Sequence, residues 1–161
     1  MNVTGSIAEI AHTFPIYVLI SSLLEGIIFQ DNRGLYFFIA ATINCIINVL
    51  LKMSFTHIAS YKSDRPNDAP DKCDDRYGNP SGHSQFAWFF STFWILYILN
   101  TNTFPNTVSN ILSIICLILI ATIVSFSRVY IKCHTKDQII TGGIIGCVIG
   151  VISFYVVKPY L

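Results

Sequence analysis

Five long apolar runs occupy most of the sequence and restrict the folds that it can adopt. A helix needs about 20 mostly apolar residues to cross the hydrocarbon core of a lipid bilayer. Each run is apolar all round rather than along one stripe, which is typical of a helix within a membrane. The sequence therefore predicts an all-α integral membrane protein, a bundle of about five transmembrane helices in a single domain over residues 1–161. The runs cover residues 10–29, 34–53, 83–99, 108–126 and 138–157.

The composition supports a membrane protein and argues against a nucleic-acid-binding one. The chain is 53% hydrophobic and 12% charged, whereas roughly a quarter of the residues in a soluble domain are charged. The formal net charge is +1 and no basic stripe is interleaved with aromatic residues, so nucleic acid is not an expected partner. The five cysteines show no paired spacing, which predicts no disulfide framework. No Lys or Arg precedes the first apolar run, so a removable signal peptide is not predicted.

The connections between the runs are of two kinds. Residues 30–33 and 100–107 are short and polar, as expected of turns between antiparallel helices. Residues 54–82 are longer and hold four Lys or Arg, five Asp and three Pro; their start, through about Tyr61, is expected to extend the second helix before a loop begins. Antiparallel helices place this loop and the connection 127–137 at the same face of the membrane.

Residues suited to phosphate chemistry gather at that face. Two arginines offer planar forks of donors that match phosphate oxygens and stay charged. A serine and a glycine lie at the start of the third helix, where free backbone N–H groups and the helix dipole favour an anion. Two histidines suffice for covalent catalysis, in which one attacks phosphorus and the other protonates the leaving oxygen, with no need for a metal or another cofactor. The residues concerned are Arg65, Ser81, Gly82, His83, Arg128 and His134.

The same residues fall into three short motifs. Arg65-Pro66, Pro80-Ser81-Gly82-His83 and Ser127-Arg128-x5-His134 resemble the signature motifs of the type-2 phosphatidic acid phosphatase superfamily, and the similarity spans about residues 44–150. Within that superfamily, the stretches PSGHSQFAWFFS and SRVYIKCHTKDQIITGG most resemble the dolichyl-diphosphatase branch.

This resemblance implies a function and a set of residue roles. It implies a membrane lipid phosphatase whose favoured substrate is a polyprenyl, dolichyl-type diphosphate. His134 is then the nucleophile that forms a phosphohistidine, and His83 is the general acid for the leaving lipid. For a eukaryotic or viral chain, the resemblance implies the endoplasmic reticulum or another internal membrane. The residues implied to bind the phosphoryl oxygens are Arg65, Ser81, Gly82 and Arg128.

The first motif departs from the superfamily in its lysine. The superfamily usually has a lysine seven residues before the arginine, and Ile58 occupies that position here. Lys62 and Lys52 are the candidates to replace it. Lys62 lies three residues before Arg65, so the two side chains share a face if this segment is helical. We therefore expect Lys62 to join the phosphate-binding residues.

The third motif departs from the superfamily in its acidic residue. The superfamily commonly has an Asp four residues after the nucleophile, where this chain has Gln138 and an Asp one residue earlier, Asp137. A nucleophilic imidazole presents one nitrogen to phosphorus, so its other nitrogen keeps the proton and needs an acceptor. Helical spacing admits either side chain, and the His-Thr-x-x-Gln text of the dolichyl branch favours Gln138 as the partner of His134.

Alternative functions remain open on the same scaffold. A phosphatidate-type lipid phosphate phosphatase would carry the same Pro-Ser-Gly-His text, a head-group phosphotransferase would pass the phosphoryl group to a second lipid, and a non-catalytic membrane protein would keep only the fold. Intact His83 and His134 speak against the last alternative.

Other polar and small residues are expected to be structural. His12 and His57 are interpreted as packed or interfacial histidines. Gly142, Gly146 and Gly150 form a smooth stripe that is expected to pack against a helix of the same chain, with a homo-oligomer seam as the alternative. A zinc site is disfavoured because its possible ligands match no usual zinc spacing. Those possible ligands are Cys73, Cys133, His83 and His134.

The loop charges and the family resemblance predict different orientations of the protein in the membrane. Most Lys and Arg residues lie at the face that carries the motifs, so the positive-inside rule predicts that this face is cytosolic. The dolichyl-diphosphatase resemblance instead implies a lumenal site. The basic residues at the motif face are Lys52, Lys62, Arg65, Lys72, Arg76, Arg128, Lys132 and Lys136, and those opposite are Arg33 and Lys158.

Overall fold

The structure is a computed structural model in which the described part of the chain forms five α-helices packed as one bundle. It describes residues 3–55, 66, 69–70, 73, 77–101, 103–104 and 106–161, without the side chains of residues 3–8. The helices are α1 (Val3–Ile28), α2 (Asn32–Phe55), α3 (Gly82–Thr101), α4 (Thr107–Tyr130) and α5 (Lys136–Val157), and a 3₁₀ turn follows at Lys158–Tyr160.

Each apolar run of the sequence forms one helix, so the predicted all-α bundle of five helices is confirmed. The helices reach beyond the apolar runs, most clearly where α1 begins at Val3 rather than at residue 10. The expected extension of α2 through Tyr61 lies outside the described residues. Four helices, all except α3, are long and apolar enough to cross a membrane.

The third helix lies at the centre of the bundle and carries polar as well as apolar side chains. α3 packs against each of the other four helices and buries Phe86, Phe89 and Phe93 in the core. Polar side chains are tolerated on such a helix when they find partners, as Ser91 does by donating from Oγ to the Leu117 carbonyl at 2.7 Å. The motif Pro-Ser-Gly-His therefore begins the central helix of the bundle.

A glycine stripe on α5 sets the distance between α5 and α3. A Cβ atom at Gly142 would lie 2.5 Å from the Ser81 carbonyl oxygen, and one at Gly146 would overlap the Gln85 carbonyl oxygen. A Cβ atom at Gly150 would meet the next turn of α3. The expectation that the stripe packs within the chain is confirmed. This close approach brings the start of α5, next to His134, against the start of α3.

At the opposite end of the bundle, a tight turn joins α1 to α2. The Arg33 guanidinium forms an ion pair with Asp31 and donates from Nη1 to the Tyr97 hydroxyl at 3.0 Å. Hydrogen bonding to Arg33 holds the pKa of the Asp31 carboxyl below its usual range. The charge of Arg33 is therefore partly neutralised by its neighbour.

Candidate active site

Main-chain hydrogen bonds tie Ser81, the residue before α3, to α5 and to the first turn of α3. The Ser81 amide donates to the Gln138 carbonyl at 3.1 Å, and the Ser81 carbonyl accepts from the Gln85 amide at 2.9 Å. Ser81 is fully buried, and its Oγ has no hydrogen-bond partner within the described part of the chain. A buried hydroxyl of this kind is suited to donate to a ligand.

Glycine at position 82 allows close packing against α2. A Cβ atom at Gly82 would lie 2.9 Å from Oδ1 of Asn48. Gly82 is the first residue of α3, where backbone N–H groups lack helical partners and favour an anion.

The third motif closes a turn around the Arg128 carbonyl. This carbonyl, in the last turn of α4, accepts from the amides of Cys133 at 3.0 Å and His134 at 3.2 Å. The chain thus folds back within six residues and brings the side chains of Arg128 and His134 to the same cavity. Arg128 is 2% exposed and His134 is 3% exposed.

One nitrogen of His134 is held by two acceptors. Nδ1 lies 2.9 Å from the Gly78 carbonyl and 3.2 Å from Oε1 of Gln138. A carbonyl oxygen only accepts hydrogen bonds, so Nδ1 carries the proton and Nε2 keeps its lone pair. The Gly78 carbonyl was missed by the sequence analysis because a main-chain acceptor has no residue-type signal.

Gln138 also caps the helix on which it lies. Its Oε1 accepts from the Thr135 amide at 3.1 Å, and the Thr135 hydroxyl accepts from the Gln138 amide at 3.3 Å. This reciprocal capping box starts α5 at Lys136. Gln138 is buried, whereas Asp137 is exposed. The structure therefore places Gln138, and not Asp137, beside His134.

A residue of α1 reaches the same place. Nε2 of His83 lies 2.9 Å from the His12 carbonyl, and the two rings stack with centroids 5.2 Å apart. Nδ1 of His12 lies 3.3 Å from Nη1 of Arg128. The sequence analysis interpreted His12 as a packed or interfacial histidine and did not anticipate that its ring and carbonyl contact two candidate site residues. His57 lies outside the described residues.

A cavity of about 460 Å³ collects these side chains. Its polar lining includes Lys52, His83, Arg128 and His134, and its apolar lining comes from α1, α2 and α3. Lys52 is 9% exposed. Lys62 and Arg65, the other predicted phosphate-binding residues, lie outside the described residues.

Three buried amides under the cavity join α2 to α3. Gln85 donates from Nε2 to Oδ1 of Asn44 at 2.9 Å and accepts on Oε1 from Nδ2 of Asn48 at 2.8 Å. Asn44, Asn48 and Lys52 are spaced by four in an otherwise apolar run. The sequence analysis did not use this polar stripe, which could have indicated that this face of α2 adjoins the site.

A disulfide links Cys73 of the long loop to Cys133, with Cα atoms 5.5 Å apart. The sequence analysis predicted no disulfide framework and did not anticipate this single bridge, which an odd number of cysteines still allows. Cys133 directly precedes His134, so the bridge ties the long loop to the third motif. Neither sulfur is a thiolate available to zinc.

Known proteins resemble this chain over most of its length. Residues 33–160 match the model of the PAP2 superfamily. Dolichyldiphosphatase 1 of Dictyostelium discoideum is 30% identical over 91% of this chain and 64% of its own length. The Homo sapiens protein of that name is 26% identical over 99% of this chain and 68% of its own length. Lipid phosphate phosphatase gamma of Arabidopsis thaliana is 28% identical over 91% of this chain and 64% of its own length.

A solved structure has the same fold. The PAP2-type phosphatidylglycerolphosphate phosphatase of Bacillus subtilis superposes with a TM-score of 0.73 at 21% identity, over 98% of this chain and 74% of that one. The chain thus spans about two thirds of the length of the curated relatives it matches and three quarters of this structure.

Proposed function

Because the chain belongs to the PAP2 superfamily, we propose that it is a multi-pass membrane lipid phosphatase whose favoured substrate is a polyprenyl, dolichyl-type diphosphate. The observation that carries this proposal is the state of His134. Two acceptors hold its Nδ1 proton, which makes Nε2 the nucleophilic nitrogen, and the buried side chain of Arg128 lines the same cavity.

Arg128, Ser81 and the start of α3 are proposed to bind the phosphoryl group. The guanidinium supplies charge and a planar pair of donors, and the buried Ser81 hydroxyl supplies another donor. Lys52 adds a second cation at the cavity, which makes it a candidate for the lysine missing from position 58. Arg65 is proposed to complete the set on the strength of its motif.

His134 and His83 are proposed to divide the chemistry. Nε2 of His134 attacks the terminal phosphorus, and the N–P bond forms as the P–O bond to the lipid phosphate breaks. His83, protonated on both ring nitrogens at this step, gives one proton to the departing oxygen and becomes neutral. A water molecule then attacks the phosphohistidine, loses a proton to His83, and releases inorganic phosphate and free His134.

The apolar part of the cavity lining supports a lipid substrate. Pro15, Ile16, Val49 and Phe86 line the same cavity as the cationic residues, so an apolar chain can lie beside a bound phosphate. Dolichyldiphosphatases among the relatives favour a polyprenyl diphosphate and a membrane of the endoplasmic reticulum. The Arabidopsis relative, a lipid phosphate phosphatase, favours the alternative of a phosphatidate-type substrate.

A substrate panel tests the proposal. Purified protein is incubated with a polyprenyl diphosphate, a polyprenyl monophosphate and phosphatidate, each with and without an acceptor lipid, and released phosphate is measured. We expect the diphosphate to be hydrolysed best, and chelators to leave the rate unchanged. Preference for phosphatidate would support the alternative substrate, and transfer to the acceptor would indicate a phosphotransferase. A folded protein that releases no phosphate, like its His134→Ala control, would contradict the proposal.

A further inference from the structure

His12 on α1 contacts two candidate site residues that come from different helices. Its carbonyl accepts from Nε2 of His83 on α3 at 2.9 Å, and its Nδ1 lies 3.3 Å from Nη1 of Arg128 on α4. Its ring stacks on that of His83 at an interplanar angle of 21°. The family match begins at residue 33, so α1 and His12 lie outside it.

The contact with Arg128 defines the protonation of the His12 ring. A guanidinium has donors and no acceptor, so Nδ1 of His12 must accept and the ring proton must be on Nε2. The ring is therefore neutral in this arrangement. A carboxylate in its place would bind the same donor but would cancel the charge that Arg128 offers to a phosphate. A neutral acceptor orients the guanidinium and leaves its charge intact.

The contact with His83 shows which nitrogen of the His83 ring carries a proton. The His12 carbonyl can only accept, so Nε2 of His83 carries a proton and Nδ1 is the nitrogen left to exchange a proton with a substrate. Pro15 lies in the next turn of α1. A proline inside a helix removes the main-chain hydrogen bond to the carbonyl four residues earlier, which here is the carbonyl of Ala11, the residue before His12.

We infer that His12 is a positioning residue that orients the Arg128 guanidinium and the His83 ring for phosphoryl transfer, an inference that rests on the proposed function. The side chain accepts from Arg128 and stacks on the His83 ring, and the main-chain carbonyl bonds to Nε2 of His83. Substitution removes the contacts of the side chain but not that of the carbonyl, because every residue type keeps the carbonyl. The loss on substitution should therefore appear in phosphate binding and be similar for good and poor leaving groups.

A pair of substitutions of equal size isolates the acceptor. In His12→Asn the amide oxygen takes about the place of Nδ1, and in His12→Leu a methyl group takes it. We expect His12→Leu to lower kcat/KM roughly 10- to 50-fold, as for loss of a hydrogen bond to a charged group, and to weaken binding of inorganic phosphate by a similar factor. His12→Asn should remain within about fivefold of the wild type. Thr13→Val serves as the control, since the partners of the Thr13 hydroxyl within the described part of the chain are main-chain carbonyls of α1.

The outcomes separate this inference from the proposed function. Phosphate affinity is measured by direct calorimetric binding as well as by inhibition, so the Asn and Leu variants can be compared even if no lipid in the panel is hydrolysed. Equal losses in His12→Asn and His12→Leu, or wild-type affinity in His12→Leu, would overturn the role of His12 while leaving the phosphatase intact. A wild-type protein that neither binds phosphate nor hydrolyses any lipid would overturn both. His12→Phe, which keeps a stacked ring without the acceptor, replaces His12→Leu if the latter does not fold.

Discussion

Gln138 both caps the start of α5 and fixes which ring nitrogen of His134 carries the proton. Its Oε1 lies within hydrogen-bond distance of both the Thr135 amide and Nδ1 of His134. The Gly78 carbonyl is a second acceptor for Nδ1 of His134. Glycine at this position leaves the Gln138 amide group in place, because a Cβ atom there would lie only 2.6 Å from it. The usual acidic residue is thus replaced by two neutral acceptors, which hold the proton on the same nitrogen but add less negative charge.

Alanine variants at two adjacent positions test this arrangement. We expect Gln138→Ala to lower kcat about 10-fold or more, in line with loss of a hydrogen bond to a group that becomes charged. Asp137→Ala should have little effect, because Asp137 is exposed. Gln138→Glu should be tolerated or better, since a carboxylate stabilises the cation that forms during attack. An inactive Asp137→Ala beside an active Gln138→Ala, at equal expression, would contradict the assignment.

Lys52 is a second residue whose role can be isolated. It lines the cavity and is almost buried at the end of α2, so its ammonium is expected to attract the diphosphate. Lys52→Met keeps the length and apolar stem of the side chain but removes the charge. We expect KM to rise about 10-fold with a smaller change in kcat. Unchanged KM in Lys52→Met, with a raised KM in Lys62→Met, would transfer the role to Lys62.

The sequence predicted part of this site, and the missing part has a physical cause. Ser81, His83, Arg128 and His134 belong to motifs with distinctive residue types, and helix topology alone brings their ends to one face. His12 was missed because no motif includes it and because a packing angle between α1 and α4 is not encoded in either helix by itself. The Gly78 carbonyl was missed because any residue type would offer the same oxygen.

At the scale of elements, the contact between α3 and α5 is the most extensive among the described helices. The carbonyl oxygens of α3 take the place of side chains along the glycine stripe of α5. The apolar runs predicted these helices, but not that α3 would be the central one. Hydropathy indicates how well a helix suits a lipid environment. It does not predict which helix packs against all the others, as α3 does.

Gly146→Ala is expected to disturb this contact. The added Cβ would overlap the Gln85 carbonyl oxygen, and the helices must separate to admit it. Overpacking of this kind costs about 1–3 kcal/mol, so the unfolding temperature in detergent should fall by several degrees. Activity should fall too, because Gln85 joins α3 to α2 under the cavity. Val148→Ala, on a residue that is 53% exposed, is the control, and equal stability of both variants would contradict the packing.

At the scale of the whole molecule, the distribution of basic residues and the disulfide indicate opposite orientations in the membrane. The positive-inside rule places the motif face in the cytosol. Two of these basic residues have another explanation, however, since Arg128 and Lys52 line the cavity. The disulfide between Cys73 and Cys133 lies at the same face, and structural disulfides are rare in the reducing cytosol. Charges that are needed for phosphate binding report poorly on topology, whereas a disulfide reports directly on the compartment.

We therefore predict that the motif face lies in an oxidising compartment, against the positive-inside rule. A single cysteine is introduced at Asp137, which is exposed at the start of α5, in a chain whose three free cysteines (Cys45, Cys116 and Cys147) are replaced by serine. In sealed vesicles with the cytosolic side outward, a membrane-impermeant maleimide should label this position only after detergent is added. A cysteine at Thr103, exposed in the connection at the other end of the bundle, should be labelled without detergent. The opposite pattern would place the site in the cytosol. The disulfide would then have to be absent from the protein isolated from cells. A thiol count under denaturing conditions measures whether it is.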